Sequence, residues 1–181
     1  MYRSLLGGWL CCLPVLFTAA CTIPSEPGSS APPPAHVLPA DARALAYGRT
    51  TGEVIQNPEL RDKVRALFGT DWTPASQGRG QLASGAAAYF EKGGPLRMVQ
   101  IAGSDYIAVT GCVPSACQTL RVLLLIREGG SQIFARLDDG GFSHYYAYGS
   151  GGNQAAAAPP IVDSGLRALK SVGDPYPSAG L

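Results

Sequence analysis

Few residues of this chain have the types and spacing for chemistry. Cys112 and Cys117 flank Val113, Pro114, Ser115 and Ala116, and the only other cysteines are Cys11, Cys12 and Cys21. In an exported protein, two thiols five positions apart with no competing partner are expected to form a disulfide. The product is a small ring that Pro114 stiffens into a turn. By loop entropy so short a closure contributes only ~2 kcal/mol. Its expected purpose is therefore local rigidity, and a rigid knob suits recognition because a preorganised loop loses less entropy on binding.

Other candidates for chemistry do not combine into sites. The Cys112–Cys117 spacing is not the Cys-x-x-Cys of a redox couple. With those cysteines committed, the two separated histidines, His36 and His144, cannot form a metal centre. Ser143-His144 imitates a nucleophile beside its base, but neighbours on a strand point to opposite faces. His144 is instead expected beside Phe142 and Tyr146 on one face. Gly149, Gly151 and Gly152 lack phosphate-loop spacing and read as a loop before the alanine run Ala155–Ala158. No catalytic activity, cofactor or metal is expected.

Export is argued from the N-terminus. Arg3 precedes an uncharged, mostly apolar run, Ser4 to Ala20, too short and too interrupted by Gly and Pro to span a membrane, so residues 1–20 read as a signal peptide. Thr18-Ala19-Ala20-Cys21 resembles a bacterial lipobox, with Thr18 where Leu is usual. On that reading Cys21 is lipidated and becomes the mature N-terminus, while ordinary cleavage near Ala20 would leave a soluble periplasmic protein. Residues 21–40 are rich in Pro, Ser and Gly and nearly uncharged, a composition that cannot bury a core. They read as a tether, with His36 a solvated linker residue; extended as polyproline, it would reach up to ~60 Å.

Residues 41–173 suffice for one domain with one core, and residues 174–181 read as a flexible tail. Without Arg3, 13 Lys and Arg face 13 Asp and Glu. A neutral domain with no basic stripe argues against nucleic acid as a partner.

The elements that must position the ring are legible as periods. Asn57-Pro58-Glu59, then Leu60, Val64, Leu67, Phe68 and Gly69, predicts a capped helix with a glycine stop. Ala87–Glu91 is a possible strand. Residues 96–101, 106–110, 119–127, 132–137 and 142–148 then follow a period of two, most of them separated by the short turns Gly103-Ser104-Asp105, Gly129-Gly130 and Asp139-Gly140-Gly141. The third run is apolar on both faces and is predicted to be central. Residues 161–172 predict a second helix with Ile161, Leu166, Leu169 and Val172 on one face. The expected class is α+β: an antiparallel sheet of about five strands with helices packed against it. The ring then sits at a hairpin tip.

The run Tyr106-Ile-Ala-Val-Thr-Gly-Cys112-Val-Pro-Ser-Ala-Cys117-Gln-Thr-Leu-Arg121, followed by an apolar strand and Ser131-Gln-Ile-Phe-Ala-Arg-Leu137, resembles the inhibitors of vertebrate lysozyme known as the Ivy family. The likeness covers residues 57 to 142, roughly half the chain. In that family an aromatic-led strand enters a Cys-Lys-Pro-His-Asp-Cys loop, and an arginine four residues past the second cysteine starts the outgoing strand. The cysteine spacing, Pro114, Tyr106 and Arg121 match.

The resemblance implies a lysozyme as protein partner, with the loop inserted into its cleft and polar groups hydrogen-bonding the two catalytic carboxylates that flank the scissile bond. Val113, Ser115 and Ala116 replace the family's lysine, histidine and aspartate. Ser115 keeps one neutral donor, while a charge-assisted contact would be about twice as strong. The expectation is weaker inhibition, a different lysozyme type as target, or none. The implied location is the periplasm, anchored through Cys21 in the outer membrane of a Gram-negative bacterium, with a homodimer possible. The competing expectation is a non-catalytic envelope lipoprotein that binds peptidoglycan through Phe142, Tyr145, Tyr146 and Tyr148, or binds another cell-wall hydrolase. Against sugar binding stands the expectation that Phe142, Tyr146 and Tyr148 pack in the core or a dimer interface, with Tyr145 outward.

Overall fold

A computed structural model of the chain describes residues 31–39, 41–149 and 154–178. The expected signal peptide and the expected lipidation of Cys21 lie outside the described residues. Strands β1 (Ala35–Leu38), β2 (Lys92–Gly93), β3 (Arg97–Ile101), β4 (Ser104–Cys112), β5 (Leu120–Arg127), β6 (Gln132–Asp139) and β7 (Phe142–Gly149) form one seven-stranded sheet. Its order is β1-β3-β4-β5-β6-β7, with β2 paired to the end of β4, and each pairing is antiparallel. With helices α1 (Thr51–Gln56), α2 (Arg61–Phe68) and α3 (Gln154–Ser171), the fold is α+β.

The period of two divides the strands between two cores. Ile107, Val109, Val122, Leu124, Ile126, Ile133, Ala135 and Leu137 pack with Val54 and Ile55 of α1 and Val64, Leu67 and Phe68 of α2. Val99, Ile101, Tyr106, Ala108, Leu123, Leu125 and Phe134 pack with Val162, Leu166 and Leu169 of α3. The sheet is thus covered on both faces, and β5, apolar at every position from Val122 to Ile126, is fully buried there.

The α2 stop falls at Gly69 as predicted, with φ +54°. Asn57 caps the turn that leads into α2: its side-chain oxygen accepts from the Glu59 N–H at 2.9 Å and its carbonyl from the Arg61 N–H at 2.8 Å. Four expectations need correction. Residues 35–38, read as tether, form β1, because Val37 and Leu38 gain a half-buried place against the two cores. His36 is exposed as expected, but from a strand, opposite Gln100. Residues 87–91 are no strand: Ala86–Phe90 is a 3-10 turn that buries Tyr89 and Phe90. The C-terminal segment is no loose tail through Ser178, since Pro175 and Tyr176 are buried and Thr110 Oγ1 donates to the Pro175 carbonyl at 2.6 Å. Finally, Val172 lies past the end of α3 and is exposed, while Val162 takes its place in the apolar face.

The β3–β4 turn is the two-residue pair Ala102-Gly103, with φ +50° and +78°, leaving Ser104 and Asp105 inside β4. It marks one end of the sheet. β1 starts at this same end, since Ala35 lies opposite Ile101 and Ile101 opposite Ser104. The Cys112–Cys117 ring closes the other end.

Candidate interaction site

The ring grows out of a buried base. Cys112 ends β4, Cys117 precedes β5, both are buried, and their disulfide holds the Cα atoms 4.9 Å apart. The Val113 N–H donates to the Leu120 carbonyl at 3.1 Å, carrying the β4–β5 ladder one step past the Cys112–Arg121 pair. The Ala116 N–H donates to the Val113 carbonyl at 2.9 Å, closing a turn with Pro114 and Ser115 at its centre. The Ala116 carbonyl in turn accepts from the Thr119 and Leu120 N–H groups at 3.0 and 2.8 Å. Two interlocked turns and a covalent bond therefore fix six residues, and proline at the second position of the first turn presets its φ.

Of the four residues inside the ring, only Pro114 and Ser115 are exposed. Val113 is half-buried and packs against the protein's own core, and Ala116 is half-buried. Within the loop expected to enter a cleft, the Val113 side chain thus already supports the ring from inside. The presented tip is one proline and one hydroxyl.

No protein-family model, curated protein or solved structure matches this chain.

Beneath the ring lies a polar network on the α3 side of the sheet. Asp138 accepts from Arg136 Nε at 2.8 Å, from Ser143 Oγ at 2.7 Å and from Arg121 at 3.5 Å. Arg136 also reaches Asp163 of α3 at 2.8 Å, and the Tyr145 hydroxyl donates to the same carboxylate at 2.9 Å. Desolvation works against the Arg136 charge, but Asp138 and Asp163 outweigh it and hold the guanidinium above the ordinary arginine range. Charges paired and hydrogen-bonded in this way resist being left alone, so the network locks the register of β5, β6 and β7 below the ring.

The aromatic strand is arranged differently from its expected form. Tyr145, expected outward, lies beneath α3. Tyr146 and Tyr148 are half-buried against the α1–α2 core, and the Tyr146 hydroxyl donates to Asp71 at 2.9 Å. Phe142, expected in the core or a dimer interface, is outside the core and 75% exposed at the start of β7. The cause is its rank: it pairs with Asp139 at the last step of the β6–β7 ladder, where the strands have run past the apolar face that covers Tyr146. The four rings therefore form no exposed row. Ser143 turns to Asp138, while half-buried His144 pairs with Leu137 on the opposite face, so the two side chains do not meet.

Gly149, read as loop, instead closes β7, and Ala155–Ala158 belong to α3; Gly151 and Gly152 lie outside the described residues. Among the described residues there is no group of three potential metal ligands, and no helix is long and apolar enough to cross a membrane. Two contributors to the ring end escaped the sequence reading. Tyr176 stacks under Arg121 from beyond the last helix, and Thr119, just past the ring, accepts the Gly140 N–H at 3.4 Å. The tyrosine between prolines in Pro175-Tyr176-Pro177 was the one available signal, since a large aromatic is out of place in a solvated tail.

Proposed function

We propose that this protein is an exported inhibitor of a lysozyme, held in the periplasm by lipid on Cys21, which seats the Cys112–Cys117 ring in the enzyme's cleft. The observation that carries this reading is the preorganised tip: Pro114 and Ser115 stand exposed on a base whose two cysteines are buried and whose turns are closed by hydrogen bonds. Such a tip enters a cleft with little further loss of entropy. Ser115 Oγ is the donor offered to the catalytic carboxylates, one of which must be ionised for the reaction. The match of cysteine spacing, Pro114, Tyr106 and Arg121 to the Ivy pattern supplies the choice of partner. A single neutral hydroxyl in place of imidazolium makes the contact weaker than the family's.

The test is inhibition of chicken-type and goose-type lysozymes by the oxidised mature protein, with Ser115→Asp alongside. A carboxylate placed against the catalytic carboxylates is repelled. Inhibition by the wild type that Ser115→Asp relieves is the expected result. Inhibition of neither type withdraws the function and moves attention to another cell-wall hydrolase. The alternative of peptidoglycan binding through a row of aromatic rings loses support from the half-buried state of Tyr145, Tyr146 and Tyr148.

A further inference from the structure

We infer that Phe142 is a second contact of the same binding surface, an aromatic anchor that occupies a sugar-ring subsite farther along the cleft that receives the Pro114–Ser115 tip. This rests on the lysozyme reading above and adds to it a residue that the family pattern does not supply.

Three observations carry it. Phe142 is the most exposed large apolar side chain among the described residues, at 75%. A phenylalanine this exposed contributes little burial to the fold, and aromatic residues, Phe among them, are enriched where a partner covers a surface. Second, Phe142 belongs to the ring's end of the sheet. The β4–β5 and β6–β7 connections both lie there, Leu120, Asp139 and Phe142 form one rank across β5, β6 and β7, and the Gly140 N–H ties the β6–β7 turn to Thr119 just past the ring. The two contacts are thus parts of one rigid edge. Third, the surface between them is open: Gln118 and Thr119 are exposed, and a side chain built on Gly140 or Gly141 would meet nothing within 4 Å. Half-buried Asp139 is the one charge on that rank, and the glycines leave no bulk to hinder a flat partner wall.

The spacing selects the kind of subsite. Three inter-strand steps separate β4 from β7, about 14 Å at the usual strand spacing. A polysaccharide-cleaving cleft binds several sugars in a line on either side of its carboxylates, and the walls that hold sugar rings also accept the face of an aromatic ring. With Ser115 at the carboxylates, Phe142 falls a few sugar units away along that line.

The experiment is calorimetric titration of chicken-type and goose-type lysozymes with the oxidised mature protein and its Phe142→Ser, Phe142→Tyr and Ser115→Asp variants, with circular dichroism as the check on folding. The expected result is a loss of affinity of about tenfold or more for Phe142→Ser, at unchanged fold, and near-wild-type affinity for Phe142→Tyr, which keeps the ring. Equal affinity of wild type and Phe142→Ser, with Ser115→Asp weakened, overturns the Phe142 contact and leaves the ring reading standing. A loss as large for Phe142→Tyr as for Phe142→Ser overturns the aromatic-subsite assignment. A wild type that binds neither enzyme removes both readings together.

Discussion

The guanidinium of Arg121 lies over the ring of Tyr176, 4.7 Å from its centroid. Arg121 pairs across the ladder with Cys112, so the C-terminal segment packs directly under the base of the disulfide ring. Tyr176 is only 6% exposed, and the carbonyl of Pro175 accepts from Thr110, two residues before Cys112. Tyr176→Ala is expected to cost about 3 kcal/mol through lost burial and the lost cation–π contact. Denaturant unfolding reads the stability loss, and a midpoint equal to wild type would show that the segment does not bear on the fold.

Removing the disulfide separates stability from rigidity. The double variant Cys112→Ala, Cys117→Ala is expected to lose only about 2 kcal/mol and keep its near-ultraviolet dichroism, because so short a loop constrains the unfolded chain little. The Ser115 amide should change more than the fold does. Its NMR order parameter is expected to drop toward values typical of flexible loops, below about 0.6. An unchanged order parameter would mean that the two turns alone preorganise the tip.

Gly111 is forced by close packing. A Cβ there would strike the Tyr89 carbonyl oxygen and sit 3.2 Å from that of Lys92. These are backbone atoms and cannot swing aside, so Gly111→Ala is expected to destabilise by about 1–3 kcal/mol. It should also displace the ring, since Gly111 precedes Cys112. Thermal unfolding of the oxidised variant checks the first effect, and chemical shifts of residues 113–116 the second.

Ala102 is the one non-glycine among the described residues with positive φ, at +50°. Its Cβ costs energy in that conformation, and the two-residue turn it forms with Gly103 favours asparagine at the first position. Ala102→Asn is expected to stabilise the protein by about 1 kcal/mol, seen as a higher denaturant midpoint at unchanged slope. A lower midpoint would count against the turn.

Alkaline pH should unfold the domain. Burial raises the hydroxyls of Tyr89, Tyr146 and Tyr176 above the ordinary value of 10.0, and the nearby carboxylates of Asp139, Asp71 and Asp138 push the same way. Below pH 10 these tyrosines are neutral in both folded and unfolded chains, and their contribution is complete. Above it the unfolded chain releases protons that the folded one retains, so stability falls as pH rises, by up to about 1.4 kcal/mol per pH unit for each such group. Chemical denaturation at a series of pH values from 8 upward checks the slope; a flat profile through pH 11 would contradict the burial of these hydroxyls.

The central strands were legible as short alternating or apolar runs bounded by turn signals, and the continuous apolar run of β5 fits a strand covered on both faces. The elements missed are short or depend on distant partners. β1 is four residues between Pro34 and Pro39, and only its place beside β3 makes it a strand. α1 is six residues; its signal was Thr50, whose hydroxyl accepts from the Glu53 N–H at 3.2 Å. For the site, the ring and its tip could be read from cysteine spacing. That Val113 turns inward and Phe142 outward could not, since a period of two assigns faces but not how far the covering layers extend.

The position of β1 gives the molecule a mechanical direction. β1 runs parallel to β4, because each is antiparallel to β3, so the chain enters the sheet at the end opposite the ring. A load applied between the N-terminal side of β1 and a partner gripping the ring runs along the strands. The hydrogen bonds of the β1–β3 and β3–β4 ladders then carry it side by side in shear, where peeling would break them one at a time. A protein tethered at one end and pulled at the other would hold its partner at the far tip of β4, some 30 Å of strand away from the point of attachment.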